Sequence, residues 1–176
     1  MATQDPAPKK RNTLPHGVTP LDQVKHLSGL EFMQGMLEGR FPPPLIGAAL
    51  KFELVEVEHG RAVFEGAPEY AFYNPIGVVH GGYAATLLDS CMGCAVHTAL
   101  PAGQSYTTLE FKIHFVRAMT DKTGRVRAEG RVVHPGKRAA TAEGHIYDAG
   151  GKLLAHGTTT CLVFPIQIGL EQPGSG

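Results

Sequence analysis

The sequence predicts an α+β domain in which a curved antiparallel β-sheet wraps around one long central helix. Three observations carry that prediction. Residues 81–100 place Ala84, Ala85, Leu87, Leu88, Met92, Ala95 and Val96 on nearly every side, the pattern of a helix without a solvent face. Four strand-like runs follow, separated by turn signals, which favours consecutive antiparallel pairing. Two more runs precede it, and a helix that is apolar all round has only that sheet to bury itself against.

Residues 1–20 carry Pro6, Pro8, Pro15 and Pro20 and few apolar groups, so they read as a flexible tail. Lys9, Lys10 and Arg11 are not followed by an apolar stretch, which excludes a secretory signal. Ser28 and Glu31 stand at capping-box spacing, with Leu30, Met33 and Leu37 behind them. They predict an extra N-terminal helix near 21–38, stopped by Phe41-Pro42-Pro43-Pro44. Phe52, Leu54, Val55 and Val57 then alternate roughly with Glu53, Glu56 and Glu58, as in a strand. His59-Gly60 turns the chain into a return strand that begins at Ala62-Val63-Phe64, and 67–79 reads as a loop.

Beyond the helix, 107–116 puts Leu109, Phe111, Ile113 and Phe115 on one face and Thr108, Glu110, Lys112 and His114 on the other. Runs at 125–133, 138–147 and 152–163 are joined by His134-Pro135-Gly136 and by Asp148-Ala149-Gly150-Gly151. Small residues at Ala140, Ala142, Gly144, Ala155 and Gly157 leave room for the helix. The prediction is one domain over 21–165 with a C-terminal tail over 166–176.

Composition narrows the function. Lys+Arg and Asp+Glu are both 16, and this balance argues against nucleic acid or an anionic membrane as partner, since both need a basic surplus. No window is long and apolar enough to span a bilayer. The cysteines are Cys91, Cys94 and Cys161, an odd number in a chain long enough to need no staples, which points to reduced thiols and a cytoplasmic location. Cys91-Met92-Gly93-Cys94 is a lone pair inside the predicted helix, read as packing rather than as a zinc or redox site. His134, His145 and His156 fall on separate strands without ligand spacing. No metal and no cofactor are expected.

Asp89 is the only formally charged residue between Gly81 and Val96. Burying an unpaired carboxylate is costly, so Asp89 is near water, paired or functional; a place on a narrow solvated stripe fits equally well. His80-Gly81-Gly82 opens the same helix, where backbone N–H groups lack partners and glycine lets a ligand approach them. Asp89 lies eight residues beyond Gly81, about 12 Å along the axis. A reacting carbonyl must sit about 3 Å from both groups, which one chain cannot easily arrange. Two antiparallel copies of the helix about a two-fold axis could.

The run Asn74-Pro75-Ile76-Gly77-Val78-Val79-His80-Gly81-Gly82 and the following Ala84-Ala85-Thr86-Leu87-Leu88-Asp89 resemble the signature of hotdog-fold acyl-CoA thioesterases of the PaaI-like, phenylacetate-degradation type. Tyr106-Thr107-Thr108-Leu109-Glu110-Phe111-Lys112-Ile113-His114-Phe115 resembles the family's long third strand. The resemblance spans roughly residues 45–163. It implies a hotdog fold and an active site shared across a homodimer, with a dimer of dimers as the larger assembly open to it, and acyl-CoA as substrate. By position it makes Asp89 the general base or nucleophile and the Gly81 amide the group that polarises the thioester carbonyl. Asn74 would orient the carboxylate or the water, His80 would order the loop, and Thr108, rather than Thr107 on the opposite face, would help hold the attacking water. Gly82, Tyr73 and Met92 would contact substrate, with the N-terminal helix over the acyl pocket, and Lys137 and Arg138 would meet the CoA phosphates. A thiolate leaves readily, its conjugate acid having a pKa of about 8.5, so an activated water or a carboxylate attack plus oxyanion stabilisation suffices. A hotdog hydratase would need Asp where Phe72 stands and His where Gly77 stands; a non-catalytic acyl-CoA-binding module is the other alternative.

Overall fold

One 18-residue helix organises the protein, and a six-stranded antiparallel sheet curves around it. The computed structural model describes residues 12–166. In chain order the elements are α1 (Leu21–Val24), α2 (Gly29–Leu37), α3 (Leu45–Leu50), β1 (Phe52–Glu58), β2 (Arg61–Gly66), α4 (Gly81–Thr98), β3 (Gln104–Phe115), β4 (Val126–His134), β5 (Ala139–Asp148) and β6 (Leu153–Pro165). The strand order is β1-β2-β4-β5-β6-β3, so β1 and β3 are the edges. Every neighbouring pair is antiparallel.

The central helix is the one the apolar pattern predicts, with Tyr83, Ala84, Leu87, Leu88, Cys91, Met92, Ala95 and Val96 buried. It is not buried all round. Gly82 is exposed, and Ala85, Thr86, Asp89, Ser90, Cys94 and His97 are half-buried. They form a stripe along the helix at i+3/i+4 spacing, and Asp89 lies on it.

Close approach to the sheet is made by glycines, by Gly144 as the sequence suggests and by Gly130, which it does not single out. A Cβ on Gly130 of β4 would overlap the Cys91 carbonyl, and one on Gly144 would meet the Met92 side chain at 2.8 Å. Gly157 faces the Lys112 carbonyl of β3, so it relieves strand against strand rather than strand against helix.

The N-terminal region departs most from expectation. The helix predicted over 21–38 is two helices. The Ser28 box is real: the Ser28 hydroxyl accepts from Glu31 N–H, and Glu31 Oε2 accepts from Ser28 N–H at 2.8 Å. It starts a new helix at Gly29 instead of lying inside one, because a capping residue takes extended backbone, here φ −64° and ψ 158°. Helix α3 follows Pro44, which cannot continue a preceding helix but can precede one, and it ends at Lys51 in the left-handed region with φ 55°. The described part of the expected N-terminal tail is tied down: Asn12 Nδ2 donates to the Met36 and Phe41 carbonyls at 2.6 and 2.8 Å. Residues 1–11 and the tail beyond Ile166 lie outside the described residues.

Helix α2 is clamped to the C-terminal end of α4. Gly29 N–H donates to the Leu100 carbonyl at 3.0 Å, and a Cβ on Gly29 would overlap the His97 carbonyl. The His97 ring lies between Phe32 of α2 and Tyr106 of β3, with centroid distances of 5.7 and 5.4 Å. Burial holds its pKa down at about 4.

Two consequences are measurable. Gly130→Ala forces a methyl into the α4 backbone and should cost on the order of 3 kcal/mol, whereas Gly144→Ala meets a flexible methionine and should cost about 1 kcal/mol; urea midpoints of the two variants check the order. His97 is neutral when folded, while the unfolded chain takes up a proton below a pH of about 6.5. The unfolded state therefore binds more protons between about 6.5 and 4. Stability is full above that window and falls across it, by on the order of 3 kcal/mol. His97→Gln should flatten this slope in urea melts taken through the same range.

Candidate active site

The site begins at the first turn of α4. His80 is the N-cap, with φ −60° and ψ 138°. Its Nδ1 accepts from Gly82 N–H at 2.8 Å, and its own N–H donates to the Phe72 carbonyl at 2.7 Å. The Gly82 amide is thus taken by the cap. The Gly81 N–H, first in the helix, has no intrahelical acceptor, and none is found among the described residues. A Cβ on Gly81 would lie 3.0 Å from the Phe115 ring, so the glycine admits that ring against the helix start. The arrangement leaves one free amide at the positive end of the α4 dipole.

Asn74 shapes the loop that leads into this turn. Its Oδ1 accepts from the Ile76 and Val78 amides at 3.1 and 3.2 Å. Its N–H donates to the Val78 carbonyl at 2.8 Å, and Gly77 completes the turn at φ 89°. Within one chain no hydrogen bond joins Asn74 to Asp89.

Asp89 is met from the sheet. Thr108 Oγ1 donates to Asp89 Oδ1 at 2.9 Å. Simple alternation along β3 would put Thr108 on the face opposite Phe111. Instead the register shifts between Thr108 and Glu110, with Thr108 opposite Cys161 and Glu110 opposite Thr160. Leu109 is the extra residue of a β-bulge, so Tyr106 and Thr108 before it share the helix-facing side with Phe111, Ile113 and Phe115 after it. Thr107 is exposed, on the other side.

Around the carboxylate lie groups that the sequence did not single out. A Cβ on Gly93, one helical turn from Asp89, would lie 2.9 Å from the Tyr106 hydroxyl. Burial, with the Asp89 charge as a lesser cause, pushes the Cys94 pKa up to about 12. Burial likewise raises Cys91 and Cys161. These thiols stay protonated at neutral pH. The signal for Tyr106 was present in its place two residues before Thr108, on one strand face.

The remaining expected residues are scattered. Tyr73 hydroxyl donates to Asp121 Oδ1 at 2.8 Å and accepts from Asp121 N–H at 3.1 Å, so it braces the loop after β3. Met92 is fully buried in the core beneath Gly144, which leaves it no opening to a ligand in this chain. Lys137 and Arg138 are exposed on the β4–β5 turn. Lys137 edges a cavity of about 310 Å³ at the C-terminal end of α4, with Val96, Leu100, Gln104 and Val163, the end opposite Gly81. Among the described residues, no group of three His, Cys, Asp or Glu side chains is placed to hold a metal, and no helix is long and apolar enough to cross a membrane.

Comparison with known proteins bears on this geometry. The sequence profile of the Thioesterase superfamily matches residues 76–155, which take in Gly81, Asp89 and Thr108. A protein of Saccharolobus solfataricus named as an esterase is 34% identical over 104 residues, which are 59% of this chain and 72% of that protein. The chain belongs to the thioesterase superfamily.

Solved structures of two proteins are similar to this chain. A phenylacetic acid degradation-related protein from Ralstonia eutropha shares 28% identity with a TM-score of 0.68, over 74% of this chain and 98% of that one. A variant of the phenylacetic acid degradation protein PaaI from Thermus thermophilus shares 27% identity with a TM-score of 0.60, over 66% and 96%. The fold is therefore the hotdog fold, and the chemistry of the superfamily is thioester hydrolysis.

His80 holds the first turn in place of the usual short polar cap. His80→Ala should lower stability by about 1 kcal/mol, the ordinary value of a lost N-cap, and His80→Asn should restore most of it. Thermal and urea unfolding of the two variants compare them directly.

Proposed function

We propose that this protein hydrolyses acyl-CoA thioesters to a free acid and CoA, at a site that two chains of a homodimer build together. The observation that carries the reading is the pairing of a positioned carboxylate with a free helix-start amide, set too far apart to act within one chain. Asp89 is held by Thr108 on the half-open stripe of α4. Gly81 N–H lies eight residues back, about 12 Å along the axis. A second antiparallel α4 brings each carboxylate to the other chain's amide.

The edge strand supplies a surface for that partner. Leu109, Phe115 and Val116 are 59%, 61% and 47% exposed, and one side of β3 has no neighbouring strand. Pairing there satisfies the open backbone groups and covers the apolar side chains. It also sets two copies of α4 side by side on one continuous sheet.

At this site the thioester oxygen accepts from Gly81 N–H, which stabilises the negative charge that develops on it. In one route Asp89 takes a proton from water while the water oxygen bonds to the carbonyl carbon. In the other the carboxylate oxygen bonds to that carbon itself, and water later cleaves the anhydride. In both the C–S bond breaks and CoA leaves as a thiolate. Thr108 orients the carboxylate, and His80 and Asn74 hold the loop and the amide. Gly82 and Tyr73 stand at the entrance of the same loop, and Lys137 and Arg138 are cations for the CoA phosphates. The three free cysteines accord with the reducing cytoplasm.

Thiol release from a panel of acyl-CoAs tests the activity. Asp89→Asn should lower kcat at least about 100-fold without dissociating the dimer. Mixing tests the sharing: Asp89→Asn and Gly81→Val chains are each inactive alone, while their mixed dimer holds one intact site and should regain activity. Full turnover by Asp89→Asn overturns the mechanism, and mixed dimers as inactive as their parents overturn the shared site.

A further inference from the structure

The cavity edged by Lys137 lies apart from the groups gathered at Asp89 and at the start of α4. Its wall residue Val96 stands seven residues past Asp89, about 10 Å further along the helix axis. Its volume is about 310 Å³, within the range of small-molecule sites and far above the voids that ordinary packing leaves. The space exists because two of its positions are small: Ala99 follows the last turn of α4, and Ala140 lies at the start of β5. Around them Val96, Leu100 and Val163 are buried and Val132 is half-buried, so the interior is apolar.

The polar groups at its mouth share one character. Lys137 is the only charged residue among the walls, and Gln104 adds an amide. No carboxylate lines the cavity. The carbonyls at the end of the helix are already taken: Val96 accepts from Ala99, His97 from Leu100, Leu100 from Gly29, and Pro101 from Gln104. What the mouth offers is therefore a cation and a donor above an apolar interior. The turn that carries Lys137 is fixed. A Cβ on Gly136 would overlap the Ala139 carbonyl, and Val163 N–H donates to the Arg138 carbonyl at 2.9 Å, which ties the turn to β6. A backbone held in this way loses little freedom when a ligand enters.

We propose that this cavity is a binding site for an aliphatic carboxylic acid of medium chain length. Its chain packs among Val96, Leu100, Val132 and Val163, and its carboxylate accepts from Lys137 and Gln104. The acid meets the one wall charge with its opposite and removes its methylenes from water. An aliphatic amine would set two positive charges together, and a neutral chain would forgo the charge-assisted bond. Space for about ten waters at their liquid share suits a medium chain rather than a long one. The inference goes beyond the thioesterase reading and does not need it, because the acid is bound and released unchanged. Lys137 is one of the two cations proposed for the CoA phosphates; Arg138, which is not among the cavity walls, is left to them when an acid is bound.

The experiment titrates octanoate, and 1-octanol as the neutral probe, into wild type, Asp89→Asn, Val132→Phe, Ala99→Leu and Lys137→Met by calorimetry. Melting temperatures verify folding. Octanoate should bind wild type and Asp89→Asn alike. Either larger side chain in the cavity should weaken both probes at least about tenfold. Lys137→Met should weaken octanoate about tenfold and leave octanol within about twofold, because only the acid uses the charge. A merely structural role for Lys137 would weaken both probes together. Lys137 is exposed on its turn, so this ratio decides the matter even where a cavity-filling variant fails to fold. No octanoate binding to wild type overturns the proposal, as does an equal loss of both probes in Lys137→Met. Binding that Asp89→Asn abolishes and the cavity variants keep also overturns it, and places the acid beside Asp89 instead.

Discussion

The hydrogen bond from Thr108 to Asp89 is the constraint on which the rest of the site depends. A carboxylate placed midway along a helix that is otherwise packed into a sheet needs a donor and a route to solvent, or the helix will not stay buried. The donor comes from the sheet, and only because β3 carries an extra residue at Leu109. Without that bulge the strand's alternation would turn Thr108 away when Phe111, Ile113 and Phe115 face the helix. The route to solvent is the stripe of small and polar residues on α4, Gly82, Thr86, Ser90 and Cys94 among them. The bulge and the stripe together present one carboxylate in an apolar setting.

The proposed chemistry also requires a free donor for the oxygen of the substrate, and the helix start can offer one because the neighbouring amide is occupied. A helix start offers several unpartnered amides, which compete for the same ligand with differing directions. His80 takes the Gly82 amide through Nδ1, and Asn74 takes those of Ile76 and Val78. What remains unclaimed is Gly81. The histidine and asparagine of the loop thus use up the alternatives and fix the backbone, and in the proposed site neither would need to touch the substrate for its loss to be felt. Tyr73 works to the same end from outside, anchoring the loop to Asp121.

Much of this was legible from residue patterns because it depends on local sequence. The all-round apolar pattern of 81–100 marked the helix, turn signals marked the four strands after it, and the solitary charge marked Asp89. The capping box at Ser28 was legible as well, but its position was misread, because a box tells where a helix starts and says nothing of the turn of helix before it. Other features depend on tertiary contact and leave a weaker trace. The bulge at Leu109 is a mismatch between two strands and cannot be seen in one. Gly130 and Gly157 look alike on their strands, yet one meets the helix and the other a neighbouring strand. Met92 has the character of a pocket residue and is core, because Gly144 lets the sheet close over it. Asn12, in a proline-rich stretch with the composition of a tail, is held by two carbonyls far along the chain.

The proposed division of the site between two chains would also account for a surface that is otherwise a liability. An edge strand of 12 residues bearing Leu109, Phe111 and Phe115 invites aggregation if left open. Glu110 and Lys112 place charges on this edge, and its exposed apolar residues lie beside the helix start, Phe115 against Gly81. On that proposal, the features that would make a lone chain a poor catalyst and a poor edge are answered by one pairing. In the proposed dimer, activity would be tied to assembly by mass action: its stability would include the burial of the β3 edge, and a chain that lost its partner would lose the proposed oxyanion donor at the same step. Substitutions on β3 that leave Asp89, Thr108 and Gly81 untouched would in that case act on turnover through assembly alone.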